Sequence, residues 1–142
     1  MQLNIVEKVI ALEAVELLQA LTPEQLARVA GIATEVLLEA GKPVLDGTQA
    51  GAALMVVIDG SVELSRNGEA LMVAKQNDVL GAWALFDDEP IPIEGKTLEE
   101  TRLLKIPRED FYDLLADNSE ITQAIFSTLV KRFRKLVEQQ AG

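Results

Sequence analysis

The sequence predicts a mainly β fold: an eight-stranded jelly roll or β-barrel with helices ahead of it and two helices behind it. Three observations carry that prediction. Between residues 34 and 106, short apolar or alternating runs are separated by turn signals roughly every 8–12 residues, the spacing of a sandwich or barrel. An Asn67-Gly68 pair stands between two such runs, and Asn-Gly tolerates the positive φ of a type I′ hairpin turn. The flanking stretches 1–33 and 107–142 switch to helical spacing, with Pro23 and Pro107 placed as helix starts.

Composition narrows the chemistry. A chain of 142 residues fits one domain with a core of its own, here 49 % apolar. No run of about 18 uninterrupted apolar residues occurs, and the N-terminus lacks a basic flank before an apolar stretch, so neither a membrane-spanning helix nor a signal peptide is expected. With no cysteine and no histidine, disulfides, thiolate chemistry and imidazole acid–base catalysis are excluded, and a zinc site is not expected. A cytoplasmic location fits that composition. The formal net charge of −10 repels a phosphate backbone, so nucleic acid is not an expected partner.

The elements follow in order. Residues 5–18 carry apolar side chains at helical spacing, with a break expected near Ala11 to Ala14. Thr22-Pro23-Glu24-Gln25 is a helix start, a threonine cap with glutamine three residues on, and predicts a helix over Pro23 to Ala30 with Leu26 and Val29 inward. Thr34 to Leu38 reads as a strand, Ala40 to Pro43 as a turn, and a second strand opens at Val44. After a turn over Asp46 to Gly51, Leu54 to Ile58 is a strand buried on both faces. Strands over 61–66 and 70–73 flank the Asn-Gly turn, and Gln76-Asn77-Asp78 leads to Val79-Leu80. Thr101 to Ile106 is the last strand, Arg108 to Leu115 a helix with Phe111, Leu114 and Leu115 inward, and Ser119 the cap of a long final helix.

That helix sets Ile121, Ile125, Leu129 and Leu136 on one face, with Ala124, Val130, Phe133 and Val137 beside it. The stripe is either core or a homodimer seam over Ile121 to Val137. Lys131, Arg132, Arg134 and Lys135 read as cations favoured by the dipole of a helix C-terminus.

The candidate site is the stretch from Leu80 to Ile93. Gly81 allows close backbone approach, and the backbone amides of Ala82, Trp83 and Ala84 could face an anion. An acidic loop, Asp87-Asp88-Glu89, leads through Pro90 to Ile91, Pro92 and Ile93. The pairs Asp87/Asp88 and Glu99/Glu100 read as solvated turn residues, and no nucleophile motif or phosphate-loop sequence accompanies them, so no catalytic residue is assigned and no enzyme is expected.

In the order of its elements and in several strings, the chain resembles the cyclic-nucleotide-binding domain family of catabolite-activator-like proteins, cyclic-nucleotide-dependent kinases and gated channels. The strings are Val36 to Leu45, Leu54 to Val62, Asp78-Val79-Leu80-Gly81 and Glu99 to Phe111. The resemblance implies a helical lead over 1–33, a jelly roll over 34–106 holding a phosphate-binding cassette at 80–93, and hinge and lid helices over 107–142. It also implies side chains that are not here. Members that bind cyclic nucleotide carry a glutamate after the cassette glycine for the ribose 2′-hydroxyl, and an arginine after the cassette proline for the cyclic phosphate, followed by a hydroxyl residue and a small one. Aligned without gaps from Gly81 to Ile106, those positions are Ala82, Ile91, Pro92 and Ile93.

The resemblance and its departures together imply a degenerate cassette in a regulatory or interaction module, with no cofactor and no cyclic AMP or GMP bound in the usual way. Two alternatives stay open. One is a neutral or apolar small ligand held against Trp83, Ile91 and Ile93; the other is residual cyclic-nucleotide binding through backbone amides. The N-terminal lead Ile5 to Ile10 also resembles regulatory domains of larger bacterial proteins such as membrane transporters or helical-repeat proteins, which implies a protein partner or a parent chain. The final helix closes at Gly142, so no helix-turn-helix is expected within the sequence.

Overall fold

Burial on both faces of one strand sets the architecture. In the computed structural model, which describes residues 2–46, 53–81 and 93–141, β3 (Ala53–Asp59) is buried from Ala53 through Val57. Successive side chains of a strand point to opposite faces. Leu54 and Val56 therefore pack against the helices, while Met55 and Val57 pack between the sheets. Each such aliphatic side chain contributes about 1.5–3 kcal/mol on full burial.

Around β3 lie β1 (Thr34–Leu38), β2 (Pro43–Asp46), β4 (Val62–Arg66), β5 (Glu69–Ala74), β6 (Val79–Leu80), β7 (Glu94–Thr97) and β8 (Thr101–Pro107). They form two four-stranded sheets in the orders β1-β8-β3-β6 and β2-β7-β4-β5, with every pairing antiparallel. Neighbours distant in sequence make this a jelly roll, as expected. The β4–β5 hairpin turns through Asn67 at φ 52° and Gly68 at φ 83°, the left-handed pair that a type I′ turn requires.

The helices cover the outer face of the β3 sheet. α1 (Ile5–Glu13) starts on an Asn4/Glu7 capping box and is followed by a single 3₁₀ turn at Glu16–Leu18, so the expected break falls at Ala14 and Val15. α2 (Pro23–Gly31) starts on the Thr22/Gln25 capping box, and Leu26 and Val29 are buried. α3 (Arg108–Asp117) runs two residues beyond its expected end and buries Phe111, while Leu114 and Leu115 are half-buried.

Two expectations need correction. Ser119 does not cap the last helix: it is the first residue of α4 (Ser119–Ala141), and the Asn118 carbonyl accepts from the Ile121 and Thr122 amides at 3.1 and 3.2 Å. The side chain of Asn118 accepts from Arg28 and donates to the Leu114 carbonyl at 2.9 Å, which ties α2 to the α3–α4 corner. The basic cluster 131–135 is not at a helix end either. The helix runs on to Ala141, its last turn carries no cation, and Arg132 instead pairs with Glu16 at 3.4 Å.

Strand β7 has no counterpart among the expected elements. Glu94-Gly95-Lys96-Thr97 has low strand propensity, and pairing with β2 on one side and β4 on the other imposes the conformation.

Candidate functional site

The stretch singled out in the sequence is framed by two anchors. On the entry side, Val79 and Leu80 pair with Val56 and Met55 of β3. Gly81 then turns the chain at φ 80°, with the Ala53 carbonyl oxygen 2.2 Å from where a Cβ would be. Any side chain there would clash with main chain, so only glycine lets the backbone leave β6 this closely.

On the exit side, Ile93 is half-buried and leads into β7. Thr97 fixes that strand. Its buried hydroxyl donates to the Glu39 carbonyl at 2.6 Å and accepts from the Lys42 amide at 2.8 Å. Within β7, a Cβ at Gly95 would come within 3.3 Å of both Val62 and Leu64 and 3.5 Å of Leu45, so β7 lies tightly on the barrel wall.

Of the candidate residues, Gly81 and Ile93 fall within this frame. Ala82, Trp83, Ala84, Ile91 and Pro92, together with Asp87, Asp88 and Glu89, lie outside the described residues. The cluster between the two sheets consists of Met55, Val57, Val62, Ala74, Leu80 and Leu103, with Leu38, Val44, Leu45 and Leu64 packed against it.

The second acidic pair has a structural setting. Glu99 accepts from the Ser61 hydroxyl at 2.8 Å, and Thr101 donates to the Glu99 carbonyl at 2.9 Å, so this corner holds the β3–β4 turn against β8. Among the described residues, no group of three or more acidic side chains is arranged to hold a metal ion. No described helix is long and apolar enough to cross a membrane.

Two clefts open elsewhere. One of about 470 Å³ lies between α1 and the end of β3, lined by Leu3, Ile10 and Ile58 with Glu7, Gln76 and Asn77 at its polar side. The other, about 290 Å³, lies between α3 and α4, against Leu115, Thr122, Ile125, Phe126 and Leu129. Neither includes Gly81 or Ile93. Sequence reading missed both, because a cleft between elements depends on how they dock and not on the spacing within either.

The final helix divides where the second cleft begins. Ile121, Ile125 and Thr128 are buried against the body, whereas Phe126, Leu129, Val130, Phe133, Leu136 and Val137 are exposed. The stripe is thus core in its first turns and uncovered beyond them.

Comparison with known proteins agrees with this geometry. A family model described as the cyclic nucleotide-binding domain matches residues 35–118. The N-terminal domain of a transcriptional regulator from Streptomyces coelicolor A3(2) superposes with a TM-score of 0.80 at 29 % identity, covering 89 % of this chain and 94 % of that one. A CRP-like cAMP-activated global transcriptional regulator of Mycobacterium tuberculosis is 24 % identical over 122 residues, 82 % of this chain and 54 % of the relative. A cAMP-dependent protein kinase regulatory subunit of Emericella nidulans is 29 % identical over 106 residues, 73 % of this chain and 26 % of the relative. The chain therefore spans about half the length of the mycobacterial relative and about a quarter of the fungal one.

Proposed function

This chain belongs to the cyclic nucleotide-binding domain family, and from that premise we propose that it is a regulatory or interaction module that does not take cyclic AMP or GMP in the usual way. The observation that carries this reading is the pair Ala82 and Ile91, which stand where binding members resemble one another in a glutamate and an arginine. Alanine cannot accept the ribose hydroxyl, and isoleucine cannot neutralise a phosphate. Pro92 adds neither hydroxyl nor N–H.

Each charge-assisted contact is worth roughly 1.5–3 kcal/mol, so losing both weakens cyclic nucleotide by about 4 kcal/mol, or three orders of magnitude. The apolar side chains of Trp83, Ile91 and Ile93 favour one second reading: a neutral or apolar small molecule held against them in the same pocket.

The relatives are a transcriptional regulator and a kinase regulatory subunit, in which the matched region is part of a longer protein. We read this chain likewise as a module that acts on a protein partner or a parent chain. The uncovered face of α4 supports a second copy of the chain as one such partner.

Calorimetric titration with cyclic AMP and cyclic GMP tests the ligand reading. No saturable binding below about 10 µM is expected; binding at that level needs roughly 7 kcal/mol and would overturn the proposal. The double substitution Ala82→Glu with Ile91→Arg is expected to raise affinity by about a hundredfold or more, since it restores two charge-assisted contacts.

A further inference from the structure

Away from the cassette, the cleft between α1 and the end of β3 combines an apolar floor with convergent polar groups. Its volume of about 470 Å³ falls inside the roughly 300–1,000 Å³ range of small-molecule sites. Leu3, Ala11 and Ile58 are half-buried at its floor, and the exposed Ile10 and Ala14 form its rim. Glu7, Gln76 and Asn77 make up the polar side.

Both walls are tied down by hydrogen bonds. The Leu3 amide donates to Glu35 Oε1 at 2.9 Å, and the Lys8 ammonium donates to the Ala33 carbonyl at 2.8 Å, so α1 and its lead are anchored at two points. Opposite them, the turn that carries Gln76 and Asn77 is clasped to β3. The Asn77 amide donates to the Val57 carbonyl at 2.8 Å, and the Val57 amide donates to the Asp78 carbonyl at 2.9 Å. Asn77 holds φ at 75°, a left-handed conformation that asparagine tolerates better than most residues. A cleft built this way spares a ligand the cost of ordering its own site.

We propose that this cleft binds a small organic cation with an apolar body, an arylalkyl amine. The ammonium meets the Glu7 carboxylate and the side-chain carbonyls of Gln76 and Asn77, while the hydrocarbon lies on Leu3, Ala11 and Ile58.

Charge selects this class over the alternatives. Glu7 is the charged residue of the lining. Its Oε1 accepts from the Asn4 amide at 3.1 Å in the capping box, which orients the carboxylate and leaves its second oxygen for another donor. Lys8, the cation next to it in sequence, is committed to Ala33. On the opposite wall Lys75 precedes Gln76, but Asp59 follows Ile58 and Asp78 follows Asn77, so carboxylates outnumber cations there too. Among the described residues, none hydrogen-bonds the side-chain amides of Gln76 and Asn77. A chain of net charge −10 draws cations and repels anions. A neutral apolar molecule would fill the floor but strip water from Glu7 without giving it a donor, which costs binding energy. The site is separate from the cassette, yet the turn over 75–78 leads directly into β6 and Gly81, so the two share one element.

Heteronuclear NMR titration of the nitrogen-labelled full chain tests the proposal. Tryptamine and phenethylamine are the probes, with tryptophol as the neutral match and indole-3-propionate as the anionic one. The expected result is saturable movement of the Leu3, Ala11, Ile58 and Asn77 amides by both amines with Kd below about 1 mM, binding of tryptophol weaker by about tenfold, and no binding of indole-3-propionate. Glu7→Gln keeps an acceptor for the Asn4 amide, as glutamine does in capping boxes, and should weaken both amines about tenfold while leaving tryptophol unchanged. Ala14→Phe, at an exposed position on the rim, should fill the cleft and abolish binding of every probe with the circular dichroism unchanged. Equal affinity for tryptamine and tryptophol, an amine affinity unaltered by Glu7→Gln, or no saturable movement of these amides by either amine up to about 5 mM would overturn the proposal. Movement confined to the Gly81 and Ile93 amides would overturn it as well, and would assign the amine to the cassette instead.

Discussion

At Gly81 one main-chain oxygen decides what the residue can be. With φ at 80° and the Ala53 carbonyl 2.2 Å from a Cβ position, Gly81→Ala combines a left-handed backbone with a main-chain clash. The left-handed conformation costs a non-glycine residue about 1–2 kcal/mol and overpacking a further 1–3, so urea denaturation should show a loss of about 2–4 kcal/mol. The sequence points to Gly81 as a place of close approach; only the packing names Ala53 as the group approached. The identities of Ala82 and Ile91, on which the proposed loss of ligand contacts rests, are legible in the sequence because they concern side-chain chemistry. A carboxylate or guanidinium is present or absent whatever the backbone does.

Elements were legible where their ends carry local chemistry. The start of α2 is written in Thr22, Pro23 and Gln25, and both halves of its capping box form: the Gln25 amide donates to the Thr22 hydroxyl at 3.2 Å, and the Thr22 amide donates to Gln25 Oε1 at 2.9 Å. Thr22→Ala should cost about 1 kcal/mol in chemical denaturation, and Thr22→Ser close to nothing. The start of α4 was misassigned by one residue because Asn118 and Ser119 are both plausible caps, and only the Asn118 hydrogen bonds distinguish them. Strand β7 was illegible for a different reason. Its two glutamate- and lysine-bearing positions and its glycine favour no strand, and its conformation comes from the neighbours β2 and β4 and from the Thr97 hydroxyl.

The whole molecule has a body that closes on itself and a helix that does not. α4 contributes Ile121, Ala124, Ile125 and Thr128 to the body and leaves Phe126, Leu129, Val130, Phe133, Leu136 and Val137 exposed. The ion pair of Arg132 with Glu16, which ties the distal half back, is more than half exposed and adds little. Truncation after Lys131 should therefore leave the fold intact. The thermal midpoint of the full chain should rise by several degrees over roughly a hundredfold increase in protein concentration, while that of the truncated chain stays constant, because only association makes stability depend on concentration. Scanning calorimetry at two concentrations checks this, and a midpoint of the full chain that does not move would count against self-association.

By itself the sequence determined the jelly-roll class, the capped start of α2 and the type I′ hairpin. Each is a matter of short-range periodicity, turn stereochemistry or side-chain identity, none of which depends on distant neighbours. Only the tertiary structure decided the rest. The last helix reads as one continuous amphipathic stripe, but the body is large enough to cover only its first turns. The same pattern of apolar residues therefore becomes core up to Thr128 and open surface beyond it.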